Sequence, residues 1–411
     1  MIRIIESKDA GRLLTRRAAR LAEAEAVVRP ILEAVRTRGD RALLEYARQF
    51  DGLTRKSVRV PESELRGAPL SDDFRTAVTM AAANVRRYAE WQMPREWTKQ
   101  GLGQIVRPLD TVAAYIPSGR YPLPSTIVMT VVPAQVAGVA NICVASPRAV
   151  AEVFGTAAML GVGNVFQMGG AQAIAAFAYG TRTVPRADRI VGPGNIYVAA
   201  AKKLLAGEVG IDFVAGPTEI LIISGDGDPA HLAADLLAQA EHDVDASAVL
   251  LTTSKRLAGA VAREVERQLD SLPTAPVARK SIAKNSAVVV VRSLEEAVEL
   301  SNRFAPEHLS IPDASLLPGI RHAGSVFVGT YSPEAAGDYA SGPNHVLPTS
   351  GAARVRGGLS VCDFVKVISV QELSEKALRS LAPAITTLAR AEGLEAHARS
   401  VEVRVDKRRP A

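Results

Sequence analysis

The sequence predicts an α/β protein in which two series of parallel strands alternate with helices, flanked by small helical segments at both ends. Three observations predict it. Between Pro108 and Asn195 the β-branched runs TVAAYIP, NICVASP, NVFQMGG and RIVGPGN are each punctuated by Gly or Pro and joined by Ala-rich helical stretches. A second series of the same texture starts at Glu219, where EILIISGDGD leads into a helix over 229–241, SAVLLTTS into Lys255–Leu269 and SAVVVVRS into Leu294–Phe304. At 411 residues the chain also exceeds the roughly 250 to 300 that one hydrophobic core organises, so more than one domain is expected.

From the amino end, MIRIIESKDAGRLLTRR has neither the apolar core nor the small-residue cleavage site of a secretory signal, and a cytoplasmic protein is expected. Over 13–49 apolar residues recur at three and four positions among Arg and Glu, as amphipathic helices require, and Gly39-Asp40 separates two of them. A further helix is expected over Asp72–Gln92, so the chain ahead of Pro108 reads as mostly helical. The longest apolar stretch, 126–145, is interrupted by Pro133, Gln135 and Asn141, and a helix and a strand of a buried core explain it better than a membrane span. Residues 332–356 are rich in Gly, Pro and Ser and form a connection of the length that functional loops have. From 370 to 400 the pattern is helical again, and no repeat of fixed period is present.

Composition excludes several classes of function. Lys plus Arg is 49 against 43 Asp plus Glu, aromatics are 5%, and the densest basic run, Lys407-Arg408-Arg409, reads as a solvated tail. Nucleic-acid binders gather basic residues on one face with aromatics to stack on bases, so none is expected here. Cys143 and Cys362 form no CxxC pair, which leaves a thiolate zinc site or a disulfide framework without support.

In doubly wound folds ligands bind beyond the carboxyl ends of the strands, and a dinucleotide is the obvious candidate. The GxGxxG fingerprint is nevertheless absent, because Gly225-Asp226-Gly227 runs into Asp228 and Pro229 and puts acidic groups where a pyrophosphate would sit. Gly169-Gly170 and Gly192-Pro193-Gly194-Asn195 each follow a strand and would let backbone approach a ligand, although tight turns need the same residues. Histidine is scarce, six in the chain. Gln239 and His242, three apart in DLLAQAEHD, offer two ligand-capable groups on one helix face, or a surface Gln beside a helix-terminal His. In RFAPEHLSI, Pro306 ends the preceding helix and presents Glu307 beside His308: either a carboxylate able to activate water with a base titrating near neutral pH, or a solvated loop pair. GDYASGPNHVLP gathers Asp338, Tyr339, Asn344 and His345 among glycines, as binding loops do. Glu392 and His397, five apart in EGLEAHARS, do not share a helix face and on their own read as exposed polar residues.

Taken together, these segments resemble the histidinol dehydrogenase family, the enzymes of the last step of histidine biosynthesis. The resemblance spans 31–403 and rests on VGPGNIYVAAAK, DFVAGPTEIL, DLLAQAEHD, RFAPEHL, GDYASGPNHVLPTSG and EGLEAHA, in the family's order and at compatible spacing. It implies two related, incomplete Rossmann-like domains. Residues 21–110 with 218–360 would carry the metal and catalytic groups, 111–217 would bind NAD, 1–20 would form an amino-terminal segment, and 361–411 would cross to the partner of a homodimer. The resemblance also implies one zinc per subunit on Gln239, His242, Asp338 and His397, with His308 as the base that takes the alcohol proton and Glu307 as the group that activates water. Thr218 and Glu392 would contact substrate together with the metal ligands and His308, and Tyr115, Gln172 and Asn195 would contact NAD.

The reaction so implied oxidises L-histidinol through L-histidinal to L-histidine with two NAD. Thr218 stands where many members have Ser and keeps the hydroxyl, whereas Ser118 replaces a glycine common beside Tyr115. The nearest rival is a paralogue of the same fold, also using zinc and NAD, that oxidises another small amino or polar alcohol. Glu392 with His397 favours histidinol, because a carboxylate pairs with a cationic amine.

Overall fold

ILII and AVVV, continuous apolar runs rather than alternating ones, lie in strands buried on both faces, as parallel sheets require. The computed structural model describes residues 2–14, 21–118, 121–148 and 150–406. They form two units, Met1–Met93 with Leu109–Phe364 and Pro94–Pro108 with Val365–Ala411.

The larger unit holds two parallel sheets. In the six-stranded sheet the order is Arg3–Glu6, Ala287–Val290, Ser247–Thr252, Glu219–Ile223, His308–Ile311, Ser325–Val328, and every neighbouring pair is parallel. Ile220 and Ile222 face helices Pro229–Ala240, Lys255–Leu269 and Ala275–Asn285, while Leu221 and Ile223 face Leu294–Phe304 on the opposite side. The amino-terminal segment expected to stand apart contributes Arg3–Glu6 as an edge strand of this sheet; residues 15–20 lie outside the described residues.

The five-stranded sheet runs Asn164–Gln167, Asn141–Ser146, Thr111–Tyr115, Arg189–Val191, Gly210–Ile211. Helix Gly170–Tyr179 buries every residue from Ala171 to Ala178, so a second helical layer must cover its outer side. Helices Leu21–Arg38 and Asp40–Asp51 supply that layer, with Val28, Leu32 and Leu43 sharing a core with Phe166, Phe177 and Ile190. The expected division placed 21–110 with 218–360, whereas these two helices pack on the 111–217 sheet. The stretch 126–145 is helix Pro124–Val136 and strand Asn141–Ser146, and among the described residues no helix is long and apolar enough to cross a membrane. Residues 332–356, expected as loop, contain helix Glu334–Tyr339 and the 3-10 turn Ala352–Arg354.

The smaller unit is an antiparallel sheet of Val365–Gln371, Leu102–Pro108 and Trp97–Lys99 with helices Glu375–Ala391 and Glu395–Val405. Its strands replace the helical reading of the segments ahead of Pro108 and after 361.

Asp51 ends its helix with a carboxylate that accepts the Gly169 N–H at 2.9 Å and the Gln172 amide at 3.0 Å, at the start of helix Gly170–Tyr179. A helix amino terminus favours an anion by about 0.3–1 kcal/mol. Burial outweighs that and the hydrogen bonds, and pushes Asp51 up to about 6 from an ordinary value of 3.8. The folded state therefore holds this proton more tightly than the unfolded chain, and the group's contribution to stability falls as pH rises through that interval. Asp51→Asn keeps an oxygen acceptor and removes the charge. Measured by urea denaturation, wild type should lose on the order of 2 kcal/mol relative to the variant between about pH 4 and pH 6; parallel stability curves would contradict this assignment.

Candidate active site

Glu307 and His308 enter strand His308–Ile311, and Thr218 precedes its neighbour Glu219–Ile223, with His308 in register with Ile220. These residues thus stand at the amino ends of two central strands, not beyond the carboxyl ends where ligands of such sheets were expected. In the five-stranded sheet the residues read as cofactor contacts stand at the carboxyl ends: Tyr115 ends its strand, Gln172 follows Asn164–Gln167, and Asn195 follows Arg189–Val191. Residues 212–218 run from the carboxyl edge of the second sheet to the amino edge of the first. Fully extended, such a link spans at most about 25 Å.

The turn that presents Glu307 is locked by backbone. Ala305 caps the preceding helix in the left-handed region (φ 51), its N–H donating to Ser301 at 2.7 Å, and Pro306 cannot continue the helix. Gly324 and Ser325 then donate to the carbonyls of Pro306 and Glu307, each at 2.9 Å. The buried Glu307 Oε2 accepts from the Thr218 hydroxyl at 2.5 Å and from the Glu219 N–H at 2.8 Å. Burial pushes Glu307 up to about 7 despite the opposing pull of His308 and these two donors.

His308 Nδ1 lies 3.1 Å from the Glu219 carbonyl, which accepts its hydrogen and leaves the lone pair of the neutral ring on Nε2. Nε2 is buried without a hydrogen-bond partner, 3.5 Å from Asp338 Oδ1. The ring stacks on Phe327 at 5.9 Å, and a Cβ on Gly337 would come within 2.6 Å of that phenyl ring, so the following helix approaches only as glycine. Burial by itself would lower the imidazole, but the carboxylates of Glu307, Asp338 and Glu334 together push His308 up to about 10.

Gln239 is buried, and both ends of its amide are satisfied with Nε2 donating to Glu334 at 2.9 Å and Oε1 accepting from the Glu219 N–H at 3.2 Å, beside the Thr218 hydroxyl oxygen. Glu334 lies well above the usual carboxylate range because of burial, with Asp338, Asp235 and Glu307 adding repulsion. Burial opposes ionisation of Asp338 as well, yet the facing His308, His345 and His242 hold its carboxyl below its ordinary value. His345 is engaged on both sides, by the Asp338 carbonyl at 2.6 Å and Thr126 at 3.3 Å, which fastens the 338–345 segment to helix Pro124–Val136. His242 lies in the exposed turn after helix Pro229–Ala240.

An amide oxygen, a carboxylate and imidazoles form a donor set that suits zinc. Gln239, His242 and Asp338 belong to the larger unit; His397, on helix Glu395–Val405, and Glu392, the cap of Glu375–Ala391, are exposed residues of the smaller one. Among the described residues no three His, Cys, Asp or Glu side chains cluster closely enough to hold a metal ion. What fits a cation among them is the Asp338 carboxylate, set in a buried field of negative charge with Glu334 and Glu307 around the same imidazole.

Tyr115 and Gln172 come together: the buried Tyr115 hydroxyl accepts the Gly170 N–H at 3.2 Å, and Gln172 is buried against Asp51. Burial pushes the phenol up to about 12. Exposed Asn195 caps helix Ile196–Leu205, accepting from Tyr197 at 3.0 Å and Val198 at 3.1 Å. Ser118 is buried and accepts from the Arg148 N–H at 3.0 Å and the Ser146 hydroxyl at 3.3 Å, so its side chain fastens the loop beside Tyr115; Gly119 and Arg120 lie outside the described residues. Sequence reasoning missed Asp51 and Glu334. Asp51 lies 118 positions from Gly169, and only the fold joins them. Glu334 was signalled only by a carboxylate among small residues in PEAAGD.

The histidinol dehydrogenase family model matches residues 14–405. A histidinol dehydrogenase of Geobacter metallireducens is 49% identical over 401 residues, covering 93% of this chain and 92% of that protein. One of Geobacillus kaustophilus is 48% identical, covering 94% and 95% respectively. The crystal structure of histidinol dehydrogenase from Elizabethkingia anophelis superposes with a TM-score of 0.94 at 36% identity over 98% of each chain. An acetylating aldehyde dehydrogenase from Geobacillus thermoglucosidasius, at 13% identity and a TM-score of 0.51, shares the fold alone. With the sequence matched over nearly its whole length and the same α/β architecture, this chain belongs to the histidinol dehydrogenase family of oxidoreductases.

Proposed function

We propose that the protein oxidises L-histidinol through L-histidinal to L-histidine, using two NAD and one zinc per subunit. The observation that carries this reading is the buried Glu307–His308 pair, with His308 Nε2 unpartnered and Glu307 fixed by Thr218 and Glu219. Zinc held by Gln239, His242, Asp338 and His397 of the partner subunit would orient and polarise the substrate, and bound NAD would take up hydride.

The chain's own residues handle the protons. With zinc bound, the carboxylates that otherwise keep the imidazole protonated would be offset, and His308 Nε2 takes the alcohol proton; its Nδ1–H, anchored on the Glu219 carbonyl, keeps the ring in the tautomer that a base needs. Glu307 takes a proton from the water that adds to the aldehyde. With a pKa raised to about 7 it both accepts and releases protons at neutral pH. His308 returns its proton to the carbonyl oxygen as water adds, which completes the hydrate, and takes it up again as the second hydride leaves. The carboxylates that hold a proton on His308 would also favour a divalent cation, so metal and proton compete for one negative field. Burial of both residues keeps bulk water from the aldehyde between the two steps. Thr218 holds Glu307, and Glu392 supplies a carboxylate for the substrate amine.

The protein is read as a cytoplasmic homodimer in which the carboxyl-terminal segment, with Glu392 and His397, completes the neighbouring subunit's site. Two experiments test this reading. NADH formation is followed in single turnovers from L-histidinol and, separately, from L-histidinal. Glu307→Gln should slow aldehyde oxidation by about 100-fold or more while sparing the first hydride transfer, and His308→Asn should slow both. Equal losses in the two steps for Glu307→Gln would remove its assigned role. A His397→Ala chain mixed with a Glu307→Gln chain should regain activity through one intact crossed site per dimer; no recovery in confirmed mixed dimers would exclude a shared site.

A further inference from the structure

We infer that the buried Lys202–Asp212 ion pair is a positioning pair that sets the cofactor edge of the five-stranded sheet against the catalytic strand ends; the inference rests on the NAD reading above. The two side chains are 3% and 1% exposed, with Lys202 Nζ 2.7 Å from Asp212 Oδ1. Lysine is almost never fully buried unless paired, and a buried ion pair adds little stability over apolar residues of the same shape. Its effect here lies in what it holds.

Both backbone polar groups of Gly192 belong to this pair. Lys202 Nζ donates to the Gly192 carbonyl at 2.5 Å, and Asp212 Oδ2 accepts the Gly192 N–H at 2.8 Å. Asp212 Oδ1 also accepts the N–H of Phe213 at 2.7 Å. Gly192 has φ +106, and a Cβ there would lie 2.2 Å from the Tyr115 carbonyl oxygen, so the pair presses bare backbone against the end of the neighbouring strand. Strand order reverses between Thr111–Tyr115 and Arg189–Val191, which makes Tyr115 and Gly192 the two lips of the switch point where doubly wound sheets bind dinucleotides.

Asp212 also opens the 212–218 link that ends at Thr218, whose hydroxyl holds Glu307. Its carbonyl accepts from Arg356, whose guanidinium lies 5.0 Å over the Phe213 ring and grips Asp363 at 3.0 and 3.1 Å. Arg189, on the switch-point strand, donates to the same Asp363 at 3.0 Å. One ion pair therefore touches the loop leading to Asn195 and the segment leading to Thr218, which holds the catalytic carboxylate, and shifting it moves one relative to the other.

The test measures NADH affinity at equilibrium by fluorescence, KM for NAD and for L-histidinol, kcat, and melting temperature, for wild type, Lys202→Met and the charge-free double variant Lys202→Met/Asp212→Asn. The double variant stands in where the single one leaves Asp212 uncompensated and fails to fold. NADH affinity and KM for NAD should weaken by about 10- to 100-fold with KM for histidinol within about twofold of wild type, the range that small misplacement of bound groups produces. A lowered melting temperature with both KM values and NADH affinity unchanged would show a structural prop only and overturn the inference. Equal weakening toward both ligands would overturn it too. Failure of wild type to bind NADH would overturn the cofactor reading itself, separately from any variant.

Discussion

The structure of the site depends on keeping the Glu307 carboxylate out of water. An ion of that size costs several kcal/mol to bury, and only donors fixed in place offset the cost. Two of them, the Thr218 hydroxyl and the Glu219 N–H, come from the amino end of the adjacent strand. The pairing therefore holds only while Glu219–Ile223 and His308–Ile311 keep their register, and the sheet itself acts as the gauge of the site. A slip of one residue would turn His308 to the other face. The Glu219 residue serves twice, since its N–H meets Glu307 and its carbonyl meets His308 Nδ1.

The same constraint concentrates negative charge. Glu307, Glu334 and Asp338 surround one imidazole in a desolvated setting, and two of the three lie above the ordinary carboxylate range. Such a group of acids is stable only if protons or a cation neutralise part of it. The Thr218 hydroxyl has one proton and two neighbouring acceptors, Glu307 and Gln239, which couples the carboxylate to the amide that Glu334 orients. These groups form one network, and the 212–218 link ties that network to the loops of the other sheet.

Much of the fold was legible because local signals agreed. The helices Asp72–Gln92, Lys255–Leu269 and Leu294–Phe304 appear with the expected bounds, each behind a serine cap, Ser71, Ser254 and Ser293, whose oxygen accepts a backbone N–H. The partner of Leu21–Arg38 was not legible, since an apolar stripe shows that a face is buried without saying against what. Val365–Gln371 exposes nearly every side chain in its unit, and helix Glu334–Tyr339 is six residues long with a glycine inside, so periodicity had little to grip. In the site, the adjacency of Glu307 and His308 was visible in the sequence. Their place at the amino ends was not, because it depends on the order of strands in the sheet. Glu334, Asp51 and Lys202 were hidden for a related reason: each acts on a group that only the tertiary fold brings near. Glu392 and His397 are read as site residues from the family resemblance alone.

The proposed reaction is a four-electron oxidation completed at one buried acid–imidazole site. Its most direct measurement is the ratio of NADH to histidine formed when L-histidinol is added to the purified protein, with free aldehyde trapped and counted, before and after metal removal. Two NADH per histidine, no released aldehyde, loss of turnover on chelation and its return with zinc are expected. One NADH per histidinol with aldehyde accumulating, or full turnover by metal-free protein, would contradict it.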